Sequence, residues 1–296
     1  MYVYSPAYYA DFGPHVFPVE KYRLVHQALR ESGVPASEFA EPEPATRAQL
    51  ELVHTPAYLD DLEGCRLTER TAWSELPLTP EIVRLFVLSA GGTILAGRTA
   101  LRSGRSVHLC GGFHHAFADR AEGFCYVNDL AVAVRALQRE GAVERVAVLD
   151  CDLHQGNGTA RIFRDDPTVF TFSIHQRDLY PVKERSDLDI HLPDGTGDAA
   201  YLEQLEVAVP AILDDFRPDL VLYQAGADPY RDDQLGSLSL TLEGLRERDR
   251  LIFGACATRK IPVAGTLGGG YARRVADTVA IHVGTCLAAR EAVPVT

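Results

Sequence analysis

The stretch "DCDLHQGNG", residues 150 to 158, carries Asp150, Asp152 and His154 at every second position. On an extended strand end, side chains alternate between faces, so these three can point one way while Cys151 and Leu153 turn into the packing. Two oxygens and one nitrogen then face a common point. Asp228, which closes "DLVLYQAGAD", can complete an Asp/His/Asp set of protein ligands. Three protein ligands with an open position for water or substrate are the arrangement of a catalytic metal site, whereas structural sites are closed. Oxygen-rich ligation without cysteine suits Zn2+, Fe2+ or Mn2+ by donor type. A lone strand-end aspartate often caps the following helix instead, but several aspartates with a histidine outweigh that reading.

A second constellation lies in "GGFHHAFADRAEGFCYVND", residues 111 to 129, where glycines flank the tandem His114 and His115. Attack of water on an amide carbonyl needs a base for its proton and an acid for the departing nitrogen, and histidine titrates in the useful range. Either imidazole can serve. Each needs a partner to fix its tautomer: Asp150, surplus to a three-ligand set, is available for one and Asn157 for the other. Tyr271, closing "LGGGY", sits on a turn flexible enough to bring its hydroxyl to a developing oxyanion, although a tyrosine taken alone is more often ordinary packing. Gly123 with Phe124, and Tyr180 in "HQRDLYP", offer flat surfaces that can grip an alkyl chain and exclude water.

The elements that must position these groups are short apolar runs ending in polar or glycine residues: "SVHLCGG", "RVAVLDCDLH", "TVFTFSIH", "DLVLYQAGAD" and "IPVAGTLGGGY". Helical periodicity marks "VEKYRLVHQALRESG", "VNDLAVAVRALQREG" and "LTLEGLRERDRLIFGACATR". Strands apolar on both faces and alternating with helices imply an α/β fold, a central parallel sheet with helices on both faces. In such sheets the ligand crevice lies at the carboxyl ends of the strands, so the reactive residues of separate runs converge on one edge. With no repeat and no Ser/Gly linker, residues 1–296 read as a single catalytic domain.

Composition narrows the partners. A hydrophobic content of 46% provides an ample core, and a formal net charge of −12 argues against nucleic acid or an anionic membrane surface and favours a cationic substrate. No apolar run reads as a membrane span and no signal peptide is evident, which makes the cytoplasm the expected location. The six cysteines are scattered without metal-binding spacing and read as reduced and mostly buried.

Taken in order, "GGFHHAFADRAEGFCYVND", "DCDLHQGNG", "AGADPYRDDQLG" and "LGGGY" resemble the motifs of the histone deacetylase superfamily, of arginase/deacetylase fold, and the similarity runs from residue 2 to about residue 290. The resemblance implies Zn2+, with Fe2+ as an alternative, held by Asp152, His154 and Asp228. It implies His115 as general base and acid, His114 as its electrostatic partner held by Asp150, and Tyr271 as oxyanion donor. Gly123, Phe124, Tyr180 and Gly269 correspond to the substrate tunnel. Asp150 and Ser173, with backbone carbonyls of Asp152, His154 and Ile174, correspond to an inner K+ site. Gln155, Asn157 and Tyr180, together with "HTPAYLDDL" and "LSAGGTILAGRTAL", look most like the class IV branch, which is associated with long fatty acyl groups. The expected function is removal of an acyl group from lysine side chains of protein by a prokaryotic homologue. The competing expectations are deacetylation of small acylated amines such as acetylpolyamines, arginase-like hydrolysis, and a catalytically silent module that binds acylated partners.

Overall fold

A computed structural model describes residues 1 to 292. Eight strands, β1 (Tyr2–Val3), β2 (Phe39–Ala40), β3 (Arg105–His108), β4 (Val146–Asp150), β5 (Val169–Gln176), β6 (Leu188–Leu192), β7 (Leu220–Gln224) and β8 (Val263–Thr266), form one sheet in the order β2-β1-β3-β8-β7-β4-β5-β6. Every pairing between them is parallel. The helices are α1 (Lys21–Glu31), α2 (Arg47–Leu50), α3 (Pro56–Glu63), α4 (Pro80–Ser103), α5 (Asp129–Arg139), α6 (Asn157–Phe163), α7 (Asp198–Phe216), α8 (Leu242–Arg259) and α9 (Val275–Glu291).

The central strands show why the sheet is covered twice. Along β4, Val146 and Val148 enter the core shared with α4 and α5, while Ala147 and Leu149 enter the core shared with α7, α8 and α9. Leu220 and Leu222 of β7 alternate with Val221 and Tyr223 in the same way. A period of two with apolar residues on both faces leaves neither face to water.

The expected runs are all strands; β5 is as long as its run, shifted by one residue, and the other four are shorter than theirs. One correction follows: β4 stops at Asp150, so Asp152 and His154 lie on the bends after the strand and strand alternation does not aim them. β1, β2 and β6 carried no sequence signal strong enough to be read. Helix α4 is long and apolar enough to cross a membrane, contrary to the reading of the apolar runs, but 67% of its most apolar window is buried, as in a core helix. Its ends are set locally: the Thr79 side chain accepts from Ile82 N, Pro80 occupies the first turn, and Gly104 closes it with φ +82°. All six cysteines are free, and all but the half-buried Cys65 are buried.

Candidate active site

The carboxyl ends of β3, β4, β7 and β8 open on one edge of the sheet. After β3 the chain turns through Gly111 and Gly112, at φ +76° and +82°. A Cβ on Gly112 would come within 2.8 Å of the Gly268 Cα, so this turn requires glycine both for its dihedral and for its packing. The Asp129 carboxylate, at the start of α5, accepts from Gly112 N at 3.0 Å and Phe113 N at 2.7 Å. The helix cap adds a second tie: Asn128 accepts from Ala131 N at 2.9 Å and donates to Ala116 O at 3.1 Å. Helix α5 thus fixes both sides of the tandem histidines.

The two imidazoles lie with centroids 4.1 Å apart and planes tilted by 53°, and they have different partners. His114 Nδ1 lies 2.6 Å from Asp150 Oδ2, and His115 Nδ1 lies 2.8 Å from Asn157 Oδ1. Burial opposes the charged form of His114, but Asp150 and Asp152 outweigh it and push the imidazole up to about 9. Burial, reinforced by the charges of His114 and His154, holds His115 well below its ordinary value. Side by side stand a histidine that favours its proton and one that stays neutral.

Asp152, His154 and Asp228 come together, each offering a donor atom within 4.8 Å of the others, and all three are buried. His154 Nδ1 is 3.3 Å from Asp152 Oδ1 and 3.4 Å from Asp228 Oδ2. Asp228 Oδ1 accepts from Leu153 N at 3.0 Å, whereas the buried Oδ2 has no hydrogen-bond partner. A buried carboxylate oxygen left without a donor is costly unless something cationic meets it. Two glycines shape the space: a Cβ on Gly226 would lie 2.3 Å from Asp152 Oδ2, and one on Gly269 2.3 Å from Asp228 Oδ2. The donor set, the unpartnered oxygen and the glycine cradle fit a divalent cation.

Three bracing side chains carried no motif signal. Gln224, the last residue of β7, donates from Nε2 to Asp152 Oδ2 at 2.7 Å and accepts from Gly226 N at 2.7 Å. Arg248 of α8 is fully buried behind the site and donates to Gly226 O at 2.6 Å and Cys151 O at 3.3 Å, while paired with Asp249 at 2.8 Å. Lys21 of α1, also fully buried, donates to Gly268 O at 2.8 Å and lies over the rings of Phe17, Tyr22 and Tyr271. An arginine or lysine inside a helical pattern reads as a solvated face, and only the tertiary fold shows otherwise.

A cavity of about 320 Å³ leads to these groups and is lined by His114, His115, Gly123, Phe124, Tyr180, Gly269 and Tyr271, among others. Gly123 and Phe124 form a left-handed turn at φ +49° and +61°. Phe124 meets Tyr271 edge to face at 5.7 Å, and Tyr180, itself 43% exposed, meets His115 at 5.4 Å. Glu122, just before the turn, accepts from Asn157 Nδ2 at 2.7 Å, and the sequence reading passed over it. Gly269 lines the cavity beside the carboxylates, with its N donating to Asp152 Oδ2 at 3.2 Å. Ser173 lies opposite Asp150 in the β4–β5 register, its hydroxyl 2.9 Å from His175 Nδ1, and Ile174 is buried beside it.

A parallel α/β sheet with a buried Asp/His/Asp set and paired imidazoles at its carboxyl edge defines a class of hydrolase scaffolds, and comparison with known proteins specifies which. The histone deacetylase domain model matches residues 15–286. An uncharacterized protein of Picosynechococcus is 43% identical over 284 residues, 95% of each chain. A probable deacetylase of Methanothermobacter thermautotrophicus is 36% identical, covering 91% of this chain and 85% of its own, and histone deacetylase 2 of Arabidopsis thaliana is 30% identical, covering 94% and 77%. The chain belongs to the histone deacetylase family of hydrolases. Its fold is that of an HDAC homolog solved in complex with SAHA, with a TM-score of 0.83 at 24% identity over 98% of this chain and 83% of that one.

Proposed function

We propose that the protein is a metal-dependent amidohydrolase that removes an acyl group from the side-chain amine of lysine in a protein. The observation that carries this reading is the placement of the buried Asp152/His154/Asp228 set and the His114–His115 pair at the end of one aromatic-walled cavity. Asp152, His154 and Asp228 would hold the ion, zinc or iron by donor type. When bound, such an ion supplies Lewis acidity toward the amide carbonyl and toward water.

His115, neutral and with Nδ1–H directed at Asn157, accepts the proton from attacking water as the new C–O bond forms. It returns that proton to the nitrogen as the C–N bond breaks, leaving a carboxylic acid and a free amine. His114, held by Asp150, keeps a positive charge beside the reacting centre. Tyr271 donates its hydroxyl to the carbonyl oxygen as negative charge develops there. Phe124 and Tyr180 flank the acyl-bearing chain. We also propose a structural K+ site on Asp150, Ser173 and the carbonyls of Asp152, His154 and Ile174. The class IV assignment is part of the proposal. It rests on the resemblance of Gln155, Asn157 and Tyr180 to that branch; Gln155, where many class I and II members carry a second histidine, donates here to Glu184 O at 2.6 Å and Asp189 Oδ1 at 2.7 Å.

Small acylated amines are the second reading. Glu75 lines the cavity and offers a carboxylate to a free ammonium group. The deciding experiment assays lysine peptides bearing acyl groups from acetyl to myristoyl beside acetylputrescine and acetylspermidine, with zinc-loaded and iron-loaded protein. Amine release from the peptides supports the first reading and preference for the polyamines supports the second. Peptide binding with no amine released from any substrate would overturn both in favour of a silent module.

A further inference from the structure

An asparagine is an ambiguous partner for a histidine, because its amide presents an acceptor or a donor depending on which way it is turned. If Asn157 offers its oxygen, the His115 proton sits on Nδ1 and Nε2 is free to take a proton. If it offers its NH2, the proton moves to Nε2 and that nitrogen is no longer a base. Something must choose between them.

Glu122 makes that choice. Its Oε1 accepts from Asn157 Nδ2 at 2.7 Å, and a carboxylate has only acceptors to offer. Turning the amide over would set the Asn157 oxygen against the carboxylate. Glu122 is itself held: Arg120 lies 3.4 Å from Oε2, the Tyr180 hydroxyl 3.5 Å from Oε1, and Glu122 N and O bond with Cys125 at 3.2 and 2.9 Å. Its side chain is only 17% exposed, so it is not a freely solvated surface group.

We propose that Glu122 is a positioning residue for the acid–base step, fixing the Asn157 amide and through it the Nδ1–H tautomer of His115. This rests on His115 acting as the proton acceptor. The Glu122–Asn157–His115 chain places a carboxylate one residue further out than a direct carboxylate–histidine pair, within reach of the Tyr180 hydroxyl.

The test uses full-length, metal-loaded protein with Glu122→Ala, Glu122→Gln, Asn157→Asp and the Glu122→Ala/Asn157→Asp double variant. Glu122→Ala should lower kcat by ~10- to 100-fold, the usual cost of losing a residue that orients a functional one, with KM nearly unchanged. Glu122→Gln, which keeps an acceptor for Asn157 Nδ2, should recover part of that loss. Asn157→Asp alone should be slow, because it sets two carboxylates together. The double variant should be faster than either single variant, since a carboxylate beside His115 needs no orienting. Ring 15N chemical shifts should show Nδ1–H in the parent protein and a tautomer mixture in Glu122→Ala. Parental kcat with an intact Nδ1–H signal in Glu122→Ala, or a double variant no faster than Glu122→Ala, would overturn the proposal. The tautomer measurement needs no substrate, so it decides the matter even where every acyl substrate fails and the proposed function with it. Should Glu122→Ala unfold, the tautomer in Glu122→Gln and the rate of the double variant decide.

Discussion

Asp228 Oδ2 faces His154 Nδ1 across 3.4 Å of buried space and accepts no hydrogen bond. A carboxylate oxygen left bare at that depth would be matched by a cation held together with Asp152 and His154. Purified protein should therefore carry a single divalent ion, and Asp228→Ala or Asp152→Ala should lose it. Elemental analysis checks this, and stoichiometric metal in the Asp152→Ala/Asp228→Ala double variant would refute the ligand set.

Gly269 offers a subtler handle on the same ion. A methyl there would stand 2.3 Å from Asp228 Oδ2 and 2.8 Å from Asp152 Oδ2. Gly269→Ala should weaken metal binding by ~10-fold or more, the scale on which perturbing a ligand's support acts. Competition with a chromophoric chelator measures it, and parental affinity would show that the cradle can yield.

For Tyr271, loss of the hydroxyl would remove the proposed oxyanion donor without altering the ring that packs on Phe17 and Phe124. Tyr271→Phe should reduce kcat by ~10²-fold or more with little change in KM. A kcat near that of the parent on an acyl-lysine peptide would remove the residue from the reaction.

Stability should fall in acid through histidines buried in the neutral form. His54 Nδ1 lies 3.0 Å from Phe117 O, and Nε2 accepts from Asn128 N at 3.1 Å, so the unprotonated ring is matched on both sides. Burial lowers its pKa from 6.5 to about 4. The unfolded chain takes up this proton first, so the contribution is fully present above pH 6.5 and is lost as pH drops from 6.5 toward 4. It amounts to about 3 kcal/mol by the linkage relation. His108 and His175, each lowered to about 3 by burial, act in the same direction. Urea midpoints measured across this range should fall steeply, and His54→Gln should flatten the curve. An unaltered slope in that variant would exclude the assignment.

Arg248 and Asp249 form a buried pair on which the ends of β4 and β7 rest. Arg248→Met leaves the Asp249 charge without its partner and should cost about 3 kcal/mol or more. Adding Asp249→Asn should recover part of that loss. Denaturant unfolding of the set tests it, and equal destabilisation by the single and double variants would rule out the pairing as the cause.

What could be read from the residues alone follows the range of the forces involved. The strands β4, β5 and β7 announce themselves because both faces are apolar, and Asp152, His154 and Asp228 because polar groups at the ends of such runs have few other uses. Strands β1 and β2 are two residues each and give no periodicity to detect. Strand alternation was the wrong reason for grouping Asp152 with His154: both lie on the bends after Asp150, where Gln224 braces Asp152 and Leu153 N ties the turn to Asp228. Gln224, Arg248, Lys21 and Glu122 were illegible for a common reason. Each acts through a partner far away in the chain, and no local pattern distinguishes a buried guanidinium or a bonded carboxylate from a hydrated one.

The cavity draws its lining from segments as distant as Phe17 and Tyr271, brought together by a sheet in which β3 pairs with β8 and β4 with β7, strands far apart in sequence. Contacts of that span form late and dissolve together. Turnover should therefore vanish in step with global unfolding, making hydrolysis a sensitive gauge of how much of a sample is intact, and cleaved halves of the chain should be inert until they reassemble.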